Sequence, residues 1–146
     1  MSQDGSVRAA ELRSETDHAL VLIAEDEAPI ADALAFIVAD AGYVPVQAAH
    51  GREALEIARA RHPALVITDL MMPHLSGTDL IVALRDDAAR DGYRAPPIIL
   101  MTAAGHRLAS ATGADAVLRK PFDIREVEDL LHRYLGDPSP SPPHGK

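Results

Sequence analysis

The chain contains no cysteine and no tryptophan. Without thiols there is neither a disulfide framework nor a thiolate metal site. That absence suits a reducing compartment, and a cytoplasmic location is the expectation. Aromatics of any kind are scarce, with three tyrosines and two phenylalanines in 146 residues. So few rings leave little material for stacking nucleobases. Basic residues are outnumbered, 14 Lys and Arg against 22 Asp and Glu, for a formal charge of -8. An acidic surface repels phosphates, which argues against nonspecific nucleic-acid binding. No apolar run approaches the roughly 20 residues that span a bilayer. The opening stretch, MSQDGSVRAAELRSETDHA, is polar and mixed in charge, without the apolar core of a signal peptide.

What is present is an ordinary globular profile, 47% apolar and 25% charged. The length suits one domain with a sizeable core. Residues 1–18 read as a flexible lead-in. The end, GDPSPSPPHGK at 136–146, is rich in Pro and Ser and is expected to be disordered. The folded unit is therefore placed at 19–135, with no internal repeat.

Inside that unit, short apolar runs alternate with helical patterns. Strands are expected at 19–24, 43–49, 64–68, 97–102 and 115–119. Helices are expected at 28–42, 51–62, 76–92 and 123–135. In the first helix, Ile30, Leu34, Ile37 and Val38 recur at helical spacing. In the third, Leu80, Leu84 and Ala88 share one side. In the last, Asp123 and Glu126 make a capping pair, and Ile124, Val127, Leu131 and Tyr134 form a stripe. Pro45 suits the second strand to an edge. Repeated strand–helix alternation implies an α/β fold with a parallel sheet between helical layers. The first, third and fourth strands are continuously apolar, as expected when both faces are covered.

In such sheets, sites form beyond the carboxyl ends of the strands. Glu25, Asp26 and Glu27 follow strand 1, and Asp69 follows the apolar run LVIT. Strand 4 ends at Thr102, and strand 5 leads into Lys120 and Pro121. Parallel strands would bring these groups to one rim. Crowded carboxylates repel one another, and a hard divalent cation is the simplest way to keep them ionised. Few protein ligands plus retained water suits Mg²⁺ better than Ca²⁺. Mg²⁺, a lysine, a small hydroxyl and a strand-end aspartate suit phosphoryl transfer to that aspartate. Glu27 reads as an exposed helix-start charge, and Met71 and Met72 serve equally well as core filler. The seven histidines are scattered and offer no ligand pair at helical or strand spacing.

Four stretches, VLIAEDE, LVITDLMMPHLSG, IILMTA and GADAVLRKPF, together resemble the response-regulator receiver domain of two-component signalling. The likeness covers about residues 20–135 and is closest to the single-domain, chemotaxis-regulator-like form. It implies a flavodoxin-like sheet in the order 2-1-3-4-5, an order that comes from the resemblance and not from periodicity. It implies Asp69 as phosphoacceptor, Glu25 and Asp26 as acids of the Mg²⁺ site, and Met71 as a backbone carbonyl ligand. Thr102 resembles the switch hydroxyl, and Lys120 the phosphate-pairing lysine. The Lys120–Pro121 bond resembles one that is cis in the family. The implied partners are a sensor histidine kinase or histidine phosphotransfer protein and a downstream protein. The flanks read as too short for a DNA-binding output domain, so neither direct DNA binding nor a membrane is expected.

The chain departs from the family in three places. The switch aromatic, three residues before the lysine, is here Val117. The segment AAGHRLASATG is about one turn short, which predicts a short or irregular fourth helix between strands 4 and 5. Positions Met71 and Ala104, two beyond Asp69 and Thr102, cannot orient an attacking water. A stand-alone receiver that self-phosphorylates and slowly hydrolyses its phosphate is the leading expectation. A pseudo-receiver, binding a protein without ever being phosphorylated, is the alternative. A haloacid-dehalogenase-type phosphatase would need an acid where Met71 stands.

Overall fold

The computed structural model describes residues 20–103 and 112–136. The expected lead-in at 1–18, most of the tail and the short fourth helix fall outside the described residues. The described chain runs β1 (Leu20–Ala24), α1 (Ala28–Asp40), β2 (Val44–Ala48), α2 (Gly51–Arg61), β3 (Leu65–Asp69), α3 (Gly77–Asp91), β4 (Ile98–Thr102), β5 (Ala116–Arg119) and α4 (Ile124–Leu135). All neighbouring strands pair parallel, in the order β2-β1-β3-β4-β5. Pro45 does lie on an edge strand, where the lost N–H is tolerated.

The sheet is covered on both faces, and the strands show why they are apolar throughout. Successive side chains point to opposite faces. Val21 and Ile23 join Leu34, Ile37 and Val38 of α1 and Val127 and Leu131 of α4 in one core cluster. Leu22 and Ala24 join Ala54 and Ala58 of α2 and Leu80, Ile81 and Leu84 of α3 in the other. β1, β3 and β4 are buried at every position. Each fully buried Leu or Ile contributes about 2 kcal/mol of transfer free energy.

Helix ends follow local chemistry. The Ser76 hydroxyl caps α3 by accepting from the Asp79 N–H at 3.1 Å. Asp123 and Glu126 form the expected reciprocal capping box on α4. The His50 ring caps α2, its Nδ1 accepting from the Glu53 N–H at 3.2 Å. Gly92 ends α3 in the left-handed region, at φ 77°.

One expected core position is wrong. Ile124 was placed in the buried stripe of the last helix, but it is 58% exposed. It is the first residue of α4, at the end of the helix that follows the carboxyl tip of β5, where its side chain stays open to solvent. Val127 and Leu131, one and two turns on, are buried as expected.

Candidate functional site

Parallel register fixes which side chains meet. Thr68 and Asp69 stand opposite Leu100 and Met101, and Thr102 stands opposite Arg119. The ladders continue past the strand ends: the Leu70 N–H donates to the Met101 carbonyl at 3.1 Å, and the Lys120 N–H to the Thr102 carbonyl at 3.0 Å. The Glu25 N–H likewise donates to the Ala48 carbonyl at 3.1 Å. Glu25, Asp69, Thr102 and Lys120 are thus anchored by sheet hydrogen bonding, which holds them more rigidly than a free loop would.

Gly77 brings helix α3 down onto this rim. A Cβ at Gly77 would lie 2.3 Å from the Asp69 carbonyl oxygen, so only glycine permits the approach. The Gly77 N–H then donates to the Leu70 carbonyl at 2.9 Å, closing the MMPHLSG turn. The Lys120–Pro121 peptide is cis, as the resemblance implied.

Lys120 lies between two acids. Its Nζ is 2.9 Å from Glu25 Oε1 and 3.3 Å from Asp69 Oδ1. Asp69 Oδ1 also accepts from the Leu70 N–H at 2.9 Å. Glu25 Oε2 accepts from the Glu27 N–H at 3.1 Å. Glu25, Asp69 and Thr102 are buried, whereas Asp26 is exposed. One ligand atom from each of Glu25, Asp26 and Asp69 can be chosen so that all lie within 4.8 Å of one another. An open cleft of about 380 Å³ lies over the cluster, lined by Asp26, Glu27, Asp69, Met71, Thr102 and Lys120 among others.

The charges do not balance. Three carboxylates face one ammonium. Burial pushes the Glu25 carboxyl above the ordinary glutamate value; hydrogen bonds from Lys120 and the Glu27 N–H pull it down without cancelling the effect, and the nearby Asp69 charge adds to the rise. Burial opposes the charge on Lys120, but Glu25 and Asp69 outweigh it, and its pKa lies above the ordinary lysine value. A donor set of hard carboxylate oxygens, short of positive charge and open to water on one side, could hold a divalent metal ion.

The structure separates the two methionines that the sequence left equivalent. Met72 packs against a core cluster, and Met71 is 74% exposed. Glu27 is exposed and serves as the N-cap residue of α1, without a side-chain cap bond. Val117, at the place of the family's switch aromatic, packs against the Leu100 side of the core. Ala104 lies outside the described residues. Sequence reading missed a contact at this turn: the rings of His50 and His74 meet edge to face, with centroids 4.8 Å apart. They come together because α2 begins against the β3–α3 turn, where a Cβ at Gly51 would lie 2.1 Å from the Leu75 carbonyl oxygen.

The family model for the response regulator receiver domain matches residues 21–132. This chain belongs to that family. Response regulator Rre1 of Synechocystis sp. is 34% identical over 120 residues, covering 79% of this chain and 51% of Rre1. The polar-differentiation response regulator DivK of Brucella ovis is 29% identical, covering 80% of this chain and 96% of DivK. The chain thus spans about half the length of the first relatives and nearly all of DivK. Among solved structures, the chemotaxis response regulator CheY4 of Vibrio cholerae superposes with a TM-score of 0.71 at 30% identity, covering 80% of this chain and 98% of CheY4. The receiver of this chain is therefore a component of two-component signalling. Receiver domains work with histidine kinases or phosphotransfer proteins. Among the described residues, no helix is long and apolar enough to cross a membrane.

Proposed function

We propose that Asp69 accepts a phosphoryl group from the phosphohistidine of a sensor kinase or phosphotransfer protein. The observation that carries this reading is the Lys120 ammonium held between Glu25 and Asp69 beside the exposed Asp26 carboxylate. A carboxylate oxygen of Asp69 is the attacking atom. It bonds to phosphorus while the phosphorus–nitrogen bond to the donor imidazole breaks, and the imidazole nitrogen keeps the electron pair.

Lys120 would take one phosphoryl oxygen by charge and the Thr102 hydroxyl another by hydrogen bond. Glu25, Asp26, Asp69 and the Met71 carbonyl would hold Mg²⁺. When bound, it supplies neutralisation of charge on the transferred group. Lys120 is already oriented by its two acids, so little reorganisation is needed at the moment of transfer. The unbalanced rim supports this acceptor reading over an unphosphorylated binding module, which would have no use for a buried, cation-poor acid cluster.

The acyl phosphate is expected to be lost slowly, because the apolar Met71 side chain cannot orient an attacking water. The chain is thus a self-phosphorylating receiver with weak autophosphatase activity and not a conventional turnover enzyme. Phosphorylation changes the charge at the rim and biases a protein-binding surface around β4, β5 and their neighbours. With Val117 in place of an aromatic, that bias runs through Thr102 and backbone shifts, not ring rotation. The test is incubation with acetyl phosphate and Mg²⁺, read by intact mass. Wild type gains one phosphoryl group and Asp69→Asn gains none. A folded wild type that stays unmodified would overturn the proposal.

A further inference from the structure

We infer that the Met71 thioether is an oxidation site through which two-electron oxidants of the peroxide class retune the phosphorylation site. The inference rests on the phosphoacceptor reading of Asp69 and adds a control on it. Three observations carry it. Met71 is the most exposed large apolar side chain among the described residues, at 74%. It lines the same cleft as Asp69, Thr102 and Lys120. The other described methionines are shielded, Met101 fully buried in β4 and Met72 packed on the core. Attack by a small oxidant follows thioether exposure, so among the described methionines Met71 reacts first.

The step balances. A sulfur lone pair of Met71 attacks one peroxide oxygen and the O–O bond breaks. The sulfur keeps that oxygen as a sulfoxide, and the other oxygen leaves as hydroxide and takes a proton to become water. The thioether loses two electrons and the peroxide gains them. The product replaces an apolar group with a strongly polar hydrogen-bond acceptor at the mouth of the cleft. A phosphoryl group on Asp69, and water in contact with it, would share that cleft with Met71. The sulfoxide oxygen accepts a hydrogen bond from such a water, which the thioether does only feebly. Oxidation therefore shortens the life of the aspartyl phosphate, and reduction of the sulfoxide restores it.

The test treats the full chain with limiting hydrogen peroxide and locates the added oxygen by fragmentation of the peptide carrying Met71 and Met72. Phosphate loss is then followed after acetyl-phosphate loading, for wild type and Met71→Leu, each compared with itself before and after peroxide. The expected result is oxygen on Met71 ahead of Met72 and Met101. Phosphate loss speeds up by about fivefold in oxidised wild type, the worth of one ordinary hydrogen bond, with no change in Met71→Leu. Methionine sulfoxide reductase should return the wild-type rate. Oxygen appearing equally on Met72, an unchanged phosphate lifetime in oxidised wild type, or the same change in Met71→Leu would each overturn the inference. Failure of the phosphoacceptor reading shows separately, as no phosphoryl gain in protein that never met peroxide.

Discussion

Glu25 and Asp87 are each 2% exposed, yet burial leaves them in opposite electrostatic states. Asp87, on α3, is gripped by two arginines. Its Oδ2 accepts from Arg59 Nε at 2.7 Å and its Oδ1 from Arg59 Nη2 at 3.1 Å and Arg90 Nη2 at 3.0 Å. The Arg59 hydrogen bonds hold the Asp87 carboxyl below the ordinary aspartate value, against the effect of its own desolvation, with Arg90 adding to the pull. Glu25 must share a single lysine with Asp69, and its carboxyl is pushed up. Asp87 is a satisfied staple between α2 and α3 that leaves nothing for a ligand to do. Glu25 belongs to a group still short of positive charge, and that shortage is what marks the carboxyl rim as a site.

Removing one cation from each region should separate them most sharply. Lys120→Gln is expected to slow acetyl-phosphate-driven phosphorylation by about a hundredfold, the scale for losing one fixed stabiliser of transferred charge. Arg59→Gln should leave that rate within about twofold, since the group lies outside the cleft. Intact-mass time courses measure both. Equal losses would erase the distinction.

Removing the acids should reverse the order on stability. Asp87→Ala deletes hydrogen bonds to a charged group and should cost about 2 kcal/mol in urea unfolding, with phosphorylation unimpaired. Glu25→Gln, measured with a chelator present, should cost no more than about 1 kcal/mol and could stabilise, because it removes a desolvated charge. Its penalty should appear instead as weaker stabilisation by Mg²⁺.

The smallest expected effect is in the pH dependence of unfolding, and there the signs differ. The Asp87 pKa is lowered on folding, so its stabilising contribution is present above the ordinary value of 3.8 and is lost as pH falls through the lower folded value. Asp87→Asn should flatten that acid limb. The Glu25 pKa is raised on folding, so its contribution is present below the ordinary value of 4.5 and is lost as pH rises through the higher folded value. Without divalent cations, wild type should therefore lose ground to Glu25→Gln as pH rises from the ordinary value of 4.5 through the higher folded value. Urea titrations carried below pH 3.8 for the Asp87 pair and above pH 4.5 for the Glu25 pair read the two trends.

The site was more legible in the sequence than the staple was, for a physical reason. Parallel strands put consecutive strand ends on one rim, so Glu25, Asp26, Asp69, Thr102 and Lys120 could be gathered from spacing alone, before any family likeness. The Arg59–Asp87 pair joins residues 28 apart on two helices, and no strand register announces it. A signal did exist. Asp87 shares the phase of Leu80, Leu84 and Ala88, the buried side of α3, whereas its neighbour Asp86 points outward. Asp115 was equally hidden: it reads as the start of a strand, but its carboxylate accepts from the Ile98 N–H at 2.8 Å and pairs with Arg85 at 3.1 Å. The His50–His74 contact could not be read at all, because it depends on how closely Gly51 approaches the β3–α3 turn. Ile124 failed for the opposite reason: its periodicity was correct, but a helix end need not lie over the sheet.

The central claim, that the carboxyl rim is short of positive charge and the α2–α3 staple is not, is tested most directly by thermal unfolding with and without Mg²⁺. Wild type should gain stability as Mg²⁺ rises, by about 2.7 kcal/mol at a hundredfold excess over the dissociation constant. Asp87→Asn should show the same gain from a lower starting point, and Asp26→Asn should lose most of it. A wild-type transition indifferent to Mg²⁺, or an Asp26→Asn gain equal to that of wild type, would contradict the account.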